Sequence, residues 1–168
     1  MSEISPLKII IAEEIATPKG EIMGMFLSEE ITSPCPVEEA IKRIKDQNGL
    51  VCVPHPADAL RSSALGLKNL HKIIGDVDVI ETFNARNYMP GGNAKADAVA
   101  RRFNKLRSAG SDAHTPGEIG MAFVQMEDFV TQDDFRLCLR NAIIRGKISN
   151  PLVHLSSTGN KLVKRFSN

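Results

Sequence analysis

The sequence lacks the features that mark several classes of protein. Its cysteines, Cys35, Cys52 and Cys138, are odd in number and form no Cys-x-x-Cys pair, which argues for reduced thiols and against a disulfide framework or a thiolate zinc site. No apolar run approaches the ~20 residues that a membrane-spanning helix needs. The first residues show neither the basic nor the apolar segment of a signal peptide. We therefore expect a cytoplasmic protein without a membrane partner.

The net charge is close to zero and aromatic residues are few, and both observations argue against nucleic acid as a partner. The formal net charge is +1 at pH 7, and the chain has one tyrosine and no tryptophan. Proteins that bind single-stranded nucleic acid combine a basic groove with stacking aromatic side chains, and the sequence predicts neither. A length of 168 residues with 42% hydrophobic and 24% charged residues is instead typical of one ordinary globular domain.

Apolar patterns along the chain change repeatedly between the periods of strands and helices. Strands are predicted at residues 7–11, 21–27, 50–53, 77–83, 105–109 and 121–126, and helices at residues 37–47, 67–74, 94–104 and 133–144. The turn at Pro18-Lys19-Gly20 predicts a hairpin between the first two strands. Alternating strands and helices joined by short loops favour an α/β fold with mostly parallel strands.

One stretch, Gly110-Ser111-Asp112-Ala113-His114-Thr115, contains two residues of the kind that bind divalent metals. Asp112 and His114 are two positions apart, so on an extended backbone their side chains point the same way. They would then offer one oxygen and one nitrogen to a cation. Ser-Asp followed by Thr-Pro-Gly also starts loops and helices, and taken alone the stretch is more often a turn than a metal site.

Other polar residues at predicted strand ends strengthen the metal interpretation. His55 follows an apolar strand-like run, as Asp112 does, and Glu14, Asn84 and Arg86 also come at or near strand ends. In α/β folds, ligands bind at the carboxyl ends of the strands. The sequence therefore predicts a site of carboxylate and imidazole groups at one edge of the sheet.

Five segments together resemble the PHP (polymerase and histidinol phosphatase) family, in particular its small metal-dependent phosphoesterases. They are Ile11-Ala12-Glu13-Glu14, Gly20-Glu21-Ile22-Met23-Gly24-Met25-Phe26-Leu27, Pro54-His55-Pro56, Ile80-Glu81-Thr82-Phe83-Asn84-Ala85-Arg86 and Gly110-Ser111-Asp112-Ala113-His114-Thr115. The resemblance implies a distorted (β/α)7 barrel with a two- or three-metal centre at its strand ends. Here it implies a partial (β/α)7 PHP-type barrel, the C-terminal two-thirds, over residues 1–150, followed by a C-terminal tail over residues 151–168.

The resemblance also implies a ligand set. By position, the family's metal ligands correspond to Glu14, His55, Asp112 and His114, and Asp112 and His114 would be the catalytic residues as well. The cofactor would be a divalent metal, and mixed imidazole and carboxylate ligands suit manganese, zinc or iron alike. Some family members have a further histidine ligand at the position of Glu21. The Glu21 carboxylate could bind a metal in its place, or Glu21 could equally be a solvated turn residue.

The expected partner is a small molecule that carries a phosphate ester. Asn84 and Arg86 correspond to a segment near the family's site, and we expect them to bind the substrate's phosphate. Arginine suits this role because its planar guanidinium donates two charge-assisted hydrogen bonds at once. The remaining histidines, His71 and His154, are expected to be surface or structural residues.

The opening part of the family pattern, a His-x-His-Thr strand followed by an Asp-His element, does not occur in this sequence. We therefore expect a PHP domain without its N-terminal His-x-His strand region, with an open sheet edge that favours a homo-oligomer. One predicted function is phosphate-ester hydrolysis by a metal-activated water, impaired by the missing ligands. The alternative is a non-catalytic metal-binding or oligomeric interaction protein derived from a PHP domain.

Overall fold

The secondary structure follows the apolar patterns of the sequence over residues 7–150, which the computed structural model describes. In order, the elements are β1 (Ala12–Ile15), β2 (Ile22–Met25), α1 (Val37–Asp46), β3 (Leu50–Val53), α2 (Gly66–Ile73), β4 (Val79–Asn84), α3 (Gly92–Arg102), β5 (Leu106–Gly110), a 3-10 turn (Pro116–Glu118), β6 (Ala122–Gln125), α4 (Gln132–Arg140) and β7 (Ile143–Gly146). The predicted α/β class is confirmed. The tail over residues 151–168 lies outside the described residues.

Strand directions in the main sheet determine which residues meet. The order is β1-β2-β3-β4-β5; β2 pairs antiparallel with both β1 and β3, whereas β4 pairs parallel with β3 and β5. All strands of this sheet except β2 therefore run in one direction, as expected, and the hairpin at Pro18-Lys19-Gly20 is confirmed. The carboxyl ends of β1, β3, β4 and β5 and the start of β2 lie along one edge, which we call the site edge.

The core lies on both faces of β3, because all four residues of that strand are buried. Successive side chains of a strand point to opposite faces. Val51 and Val53 pack with the buried stripe of α1, at positions 37, 40, 41 and 44, while Leu50 and Cys52 pack with Phe135 of α4. The prediction that Cys52 is a small core residue is confirmed, and burial raises the pKa of its thiol.

The segment before β1 differs from its prediction. Residues 7–11 form a β-branched apolar run that is typical of a buried strand, yet Leu7, Ile9 and Ile11 are 70%, 47% and 51% exposed, and the first strand begins only at Ala12. The amide of Leu27 donates to the carbonyl of Ile11, but within residues 7–150 the sheet has no strand beyond β1. A strand pattern needs a neighbour to pair with, and here it has none among the described residues.

The C-terminal part of the described chain also differs. The helix predicted over residues 133–144 ends at Arg140, and Ile143 begins β7, which pairs antiparallel with β6 in a separate sheet. β6 is therefore not the last strand. β-Branched residues favour strands, and the pair Ile143-Ile144 outweighs the helical spacing at that point. No helix among residues 7–150 is long and apolar enough to cross a membrane.

Candidate functional site

A cavity of about 480 Å³ opens at the site edge. Its charged lining consists of carboxylates, one imidazole and two guanidinium groups, namely Glu14, Glu21, Asp58, Asp112, His114, Arg61 and Arg86. Glu14 comes from the end of β1 and Glu21 directly precedes β2, so the hairpin brings both to the same side of the cavity. Burial, followed by the neighbouring carboxylates of Glu21 and Asp112, raises the pKa of Glu14.

His55 lies beneath this cavity, directly after β3, in a strained and buried position. Its φ is 29°, in the left-handed region that is costly for a non-glycine residue, and it is 2% exposed. Among residues 7–150, neither ring nitrogen has a hydrogen-bond partner, although Nε2 is 3.8 Å from Oε2 of Glu21. Burial, followed by the charge of Arg61, lowers the pKa of His55. The result is a neutral imidazole with a free lone pair next to a carboxylate.

Glu81 is a member of the site that the sequence analysis did not single out. Oε2 of Glu81 accepts the His55 amide at 2.7 Å and Nδ2 of Asn84 at 3.0 Å. Burial, together with the charges of Asp112 and Glu14, raises its pKa to about 7 against these hydrogen bonds. The sequence does carry a signal for Glu81, because it is an acidic residue in the middle of an apolar strand. Burying a charged group there costs free energy unless the group has a partner or a function.

Asp112 and His114 are neighbours, but not for the predicted reason. The backbone at Asp112 is not extended, because its φ is 49°, and the chain turns there into a loop. Nδ1 of His114 is 3.6 Å from Oδ1 of Asp112 and donates to the Asp112 carbonyl oxygen at 2.9 Å. That hydrogen bond fixes the tautomer and leaves Nε2 of His114 to bind a cation or accept a proton.

Glu118 holds this loop in place and was also missed. Its carboxylate is 1% exposed, and Oε2 accepts the amides of His114 and Thr115 at 3.0 Å and the Thr115 hydroxyl at 3.1 Å. Oε1 is 3.6 Å from Nε of Arg86. Burial acts to raise the pKa of Glu118, yet these hydrogen bonds and Arg86 hold it below its usual range. Thr-x-x-Glu is a capping-box signature, which the turn interpretation of this segment overlooked.

Arg61 brings a positive charge into the middle of the carboxylates. Its Nη2 donates to Oδ2 of Asp112, and its Nε is 3.6 Å from Oδ2 of Asp58, which is itself 4% exposed. The sequence showed Arg61 only as part of a polar loop. Its position is a tertiary feature, because the loop after β3 must fold back across the site edge to reach Asp112.

The other predicted residues have the following places. Asn84 is 1% exposed and does not line the cavity; its amide nitrogen contacts Glu81 and, at 3.4 Å, Asp112. Arg86 lines the cavity but is 3% exposed and paired with Glu118. Substrate binding by Asn84 and Arg86 stays a prediction. His71 is exposed, as expected, and His154 lies outside the described residues.

The donor groups fit a divalent metal in kind. A buried imidazole without a hydrogen-bond partner is rare. Burial and neighbouring carboxylates raise the pKa values of Glu14 and Glu81, and a nearby cation would stabilise the charged forms of both. Among residues 7–150, however, no three His, Cys, Asp or Glu side chains are close enough together to hold a metal. Arg61 supplies a positive charge to Asp112 in this arrangement.

Comparison with known proteins bears directly on these residues. A family model described as PHP-associated matches residues 90–147, a range that includes α3, the Asp112 loop and all of β7. Residues 90–147 therefore match a segment that is associated with the PHP family. The resemblance seen in the sequence is therefore confirmed, and the last two predicted ligands lie within the segment that the model matches.

Two curated relatives are similar to this chain in sequence. The chain is 36% identical over 122 residues to the uncharacterized protein MJ0417 of Methanocaldococcus jannaschii, covering 71% of this chain and 52% of that one. It is 40% identical over 79 residues to the uncharacterized protein MJ1587 of the same organism, covering 47% and 44%. The chain thus spans about half the length of the curated relatives that it matches.

A solved structure supports the fold. It is a two-domain protein from Bacteroides vulgatus, described as containing a predicted PHP-like metal-dependent phosphoesterase, and it superposes with a TM-score of 0.60 at 20% identity. The match covers 82% of this chain and 44% of that one. At this identity the likeness concerns the arrangement of strands and helices, and the chemistry must be argued from the residues themselves.

Proposed function

We propose that this chain provides a divalent-metal site that hydrolyses phosphate esters, within a partial (β/α)7 barrel. The observation that supports this most directly is His55. Its imidazole is buried next to Glu21, and both ring nitrogens lack a hydrogen-bond partner among residues 7–150. A bound divalent metal would give this ring the partner that buried polar groups normally have.

Glu14, His55, Asp112 and His114 would hold the metal, and Glu21 lies close enough to His55 to join them. Manganese, zinc and iron all suit such ligands. When bound, a divalent metal lowers the pKa of a coordinated water from 15.7 towards ~7 and offsets charge on the phosphoryl oxygens.

Other residues of the chain would position the reaction. The hydrogen bond from Nδ1 of His114 to the Asp112 carbonyl orients the ring and leaves Nε2 as the metal-binding atom of the neutral tautomer, and Glu118 holds the His114 backbone in its loop. Arg86, on the wall of the cavity, would donate hydrogen bonds to the phosphate of a small ester. Asn84 would orient the Asp112 and Glu81 carboxylates, because its Nδ2 donates hydrogen bonds to both.

Substitution of Asp112 tests this function. We expect the purified chain, supplied with Mn²⁺, Zn²⁺ or Fe²⁺, to hydrolyse p-nitrophenyl phosphate, and Asp112→Asn to lose about 100-fold or more of that rate. Asp46→Asn is a matched control, because Asp46 lies exposed on α1 and pairs only with Lys42 there. Equal turnover in the Asp112→Asn chain, or none in any metal-loaded form, would count against phosphoesterase activity.

The alternative, a non-catalytic metal-binding or oligomeric interaction protein, is favoured by one further observation. Leu7, Ile9 and Ile11 are exposed next to β1, the first edge of the main sheet, and open edges with apolar neighbours promote association. Light scattering after size-exclusion chromatography tests this proposal. It predicts a homo-oligomer without turnover, and a monomer at all concentrations would contradict it.

A further inference from the structure

We infer that Arg61 is an internal counter-ion that competes with the metal for Asp112, so that this one side chain sets the metal affinity of the site. The inference rests on the proposed metal site. It concerns a residue outside the predicted ligand set, and it explains why the donor groups are present while no three of them are brought together.

The competition follows from which atoms are already engaged. Oδ2 of Asp112 accepts hydrogen bonds from Nη2 of Arg61 and from Nδ2 of Asn84, and Oδ1 lies 3.6 Å from Nδ1 of His114. A guanidinium keeps its charge at every ordinary pH. A divalent cation on Asp112 would therefore face a fixed positive charge hydrogen-bonded to the same carboxylate, and the two would repel each other.

The pair lies where displacement is feasible. The side chains of Arg61 and Asp112 are 22% and 17% exposed, and both line the cavity. Arg61 also has a second carboxylate within reach, since its Nε is 3.6 Å from Oδ2 of Asp58. Arg61 can thus leave Asp112 and remain paired with Asp58.

The loop that carries Arg61 also carries the predicted ligand His55. The Asp58 amide donates to the His55 carbonyl at 3.1 Å, and the Arg61 amide donates to the Asp58 carbonyl at 3.3 Å. The Leu60 amide donates to Oδ1 of Asp58 at 3.1 Å. Two consecutive turns therefore connect the backbone of Arg61 to that of His55, so one loop carries both a predicted metal ligand and the cation that competes with the metal.

The test is calorimetric titration of the whole chain with Mn²⁺ in the absence of substrate. Arg61→Gln removes the charge and keeps a hydrogen-bond donor, and we expect it to bind Mn²⁺ about tenfold more tightly than the wild type. Arg107→Gln is the matched control, because Arg107 is similarly exposed but pairs with Asp97 in α3; its Mn²⁺ affinity should equal that of the wild type.

A second variant predicts the opposite change. Asp58→Asn removes the alternative partner and confines Arg61 to Asp112, so we expect weaker Mn²⁺ binding. In the Arg61→Gln background the same substitution should have no effect, because Asp58 then has no arginine to hold. A loss of Mn²⁺ affinity in this double variant would indicate that Asp58 binds the metal. It would overturn the role of Asp58 as the alternative ion-pair partner of Arg61.

The outcomes separate this inference from the proposed function. Wild-type binding of Mn²⁺ with an unchanged or lower affinity in Arg61→Gln would overturn the competition and leave the metal site in place. No Mn²⁺ binding by the wild type or by Arg61→Gln would overturn both. Tighter binding by Arg61→Gln without phosphatase activity in either chain would support the competition and contradict hydrolysis.

Discussion

Two loops at the site edge each pair an arginine with a carboxylate, and the two pairs differ in burial. Arg86 and Glu118 are 3% and 1% exposed, and Glu118 also accepts three hydrogen bonds from the loop of residues 112–118. Arg61 and Asp112 are 22% and 17% exposed and meet at the wall of an open cavity. At this edge of the sheet, the same two kinds of charged group therefore form one buried pair and one pair that faces the cavity.

The difference shows how burial decides what such a pair can do. Separating two buried charges leaves each without compensation and is costly, so Glu118 and Arg86 act as a fixed support for His114. An ion pair that water can reach is weak and breaks easily. Arg61 can therefore separate from Asp112 when another cation binds this carboxylate. One pair gives the loop its shape, and the other adjusts the charge of the site.

Removal of the buried carboxylate should have the largest effect on stability. Glu118→Ala takes the counter-charge from Arg86 and the acceptor from the amides of His114 and Thr115, and we expect a loss of about 3 kcal/mol or more in the free energy of unfolding. Urea denaturation measures it, with the exposed Glu38→Ala as a control. A loss below about 0.5 kcal/mol would mean that the buried pair is not a support.

The pH dependence of stability tests whether burial and the nearby carboxylates raise the pKa of Glu81. Burial raises its pKa from an ordinary value of 4.5 to about 7 in the folded chain, so the folded state holds the proton more strongly. Its contribution is fully present below about pH 4.5 and is lost as the pH rises through 7, by at most about 3 kcal/mol.

We therefore expect the metal-free wild type to lose stability between pH 5 and pH 8, and Glu81→Gln to reduce that slope. Glutamine can still accept the His55 amide, so the hydrogen bond is conserved while the titration is removed. Thermal unfolding across this pH range is the measurement. Equal slopes in the two chains would show that Glu81 is ionised throughout.

The partly exposed pair of Arg61 and Asp112 should contribute least to the free energy of unfolding. Arg61→Gln is expected to cost about 1 kcal/mol in the metal-free chain, whereas Arg86→Gln should cost at least twice as much, because Glu118 would be left buried beside a neutral side chain. Chemical denaturation of both variants compares them directly. Equal losses would remove the distinction between the two loops.

Local patterns made much of the fold predictable. The stripe at positions 37, 40, 41 and 44 specified α1, and β3 has the predicted bounds, because a run buried on both faces leaves little choice. Glu14, His55 and Asp112 could be assigned to one edge since strand direction alone brings carboxyl ends together. Pairing partners were not predictable, which is why residues 7–11 and Ile143 were assigned wrongly.

The finer parts of the site depend on backbone geometry that no residue spacing encodes. The positive φ of Asp112 replaces the predicted extended segment by a loop. Arg61 reaches Asp112 across 51 positions of sequence, through a loop whose composition is merely polar. Glu81 and Glu118 were readable in principle, one as an acid within an apolar strand and the other as part of a capping box.

If this edge of the sheet is a metal centre, the metal content of the purified chain after incubation with Mn²⁺ and dialysis shows it most directly. Plasma mass spectrometry should find about one metal ion per wild-type chain and almost none in Asp112→Asn, since a site depends on each of its ligands. Manganese at buffer level in the wild type, or equal amounts in the two chains, would contradict the account.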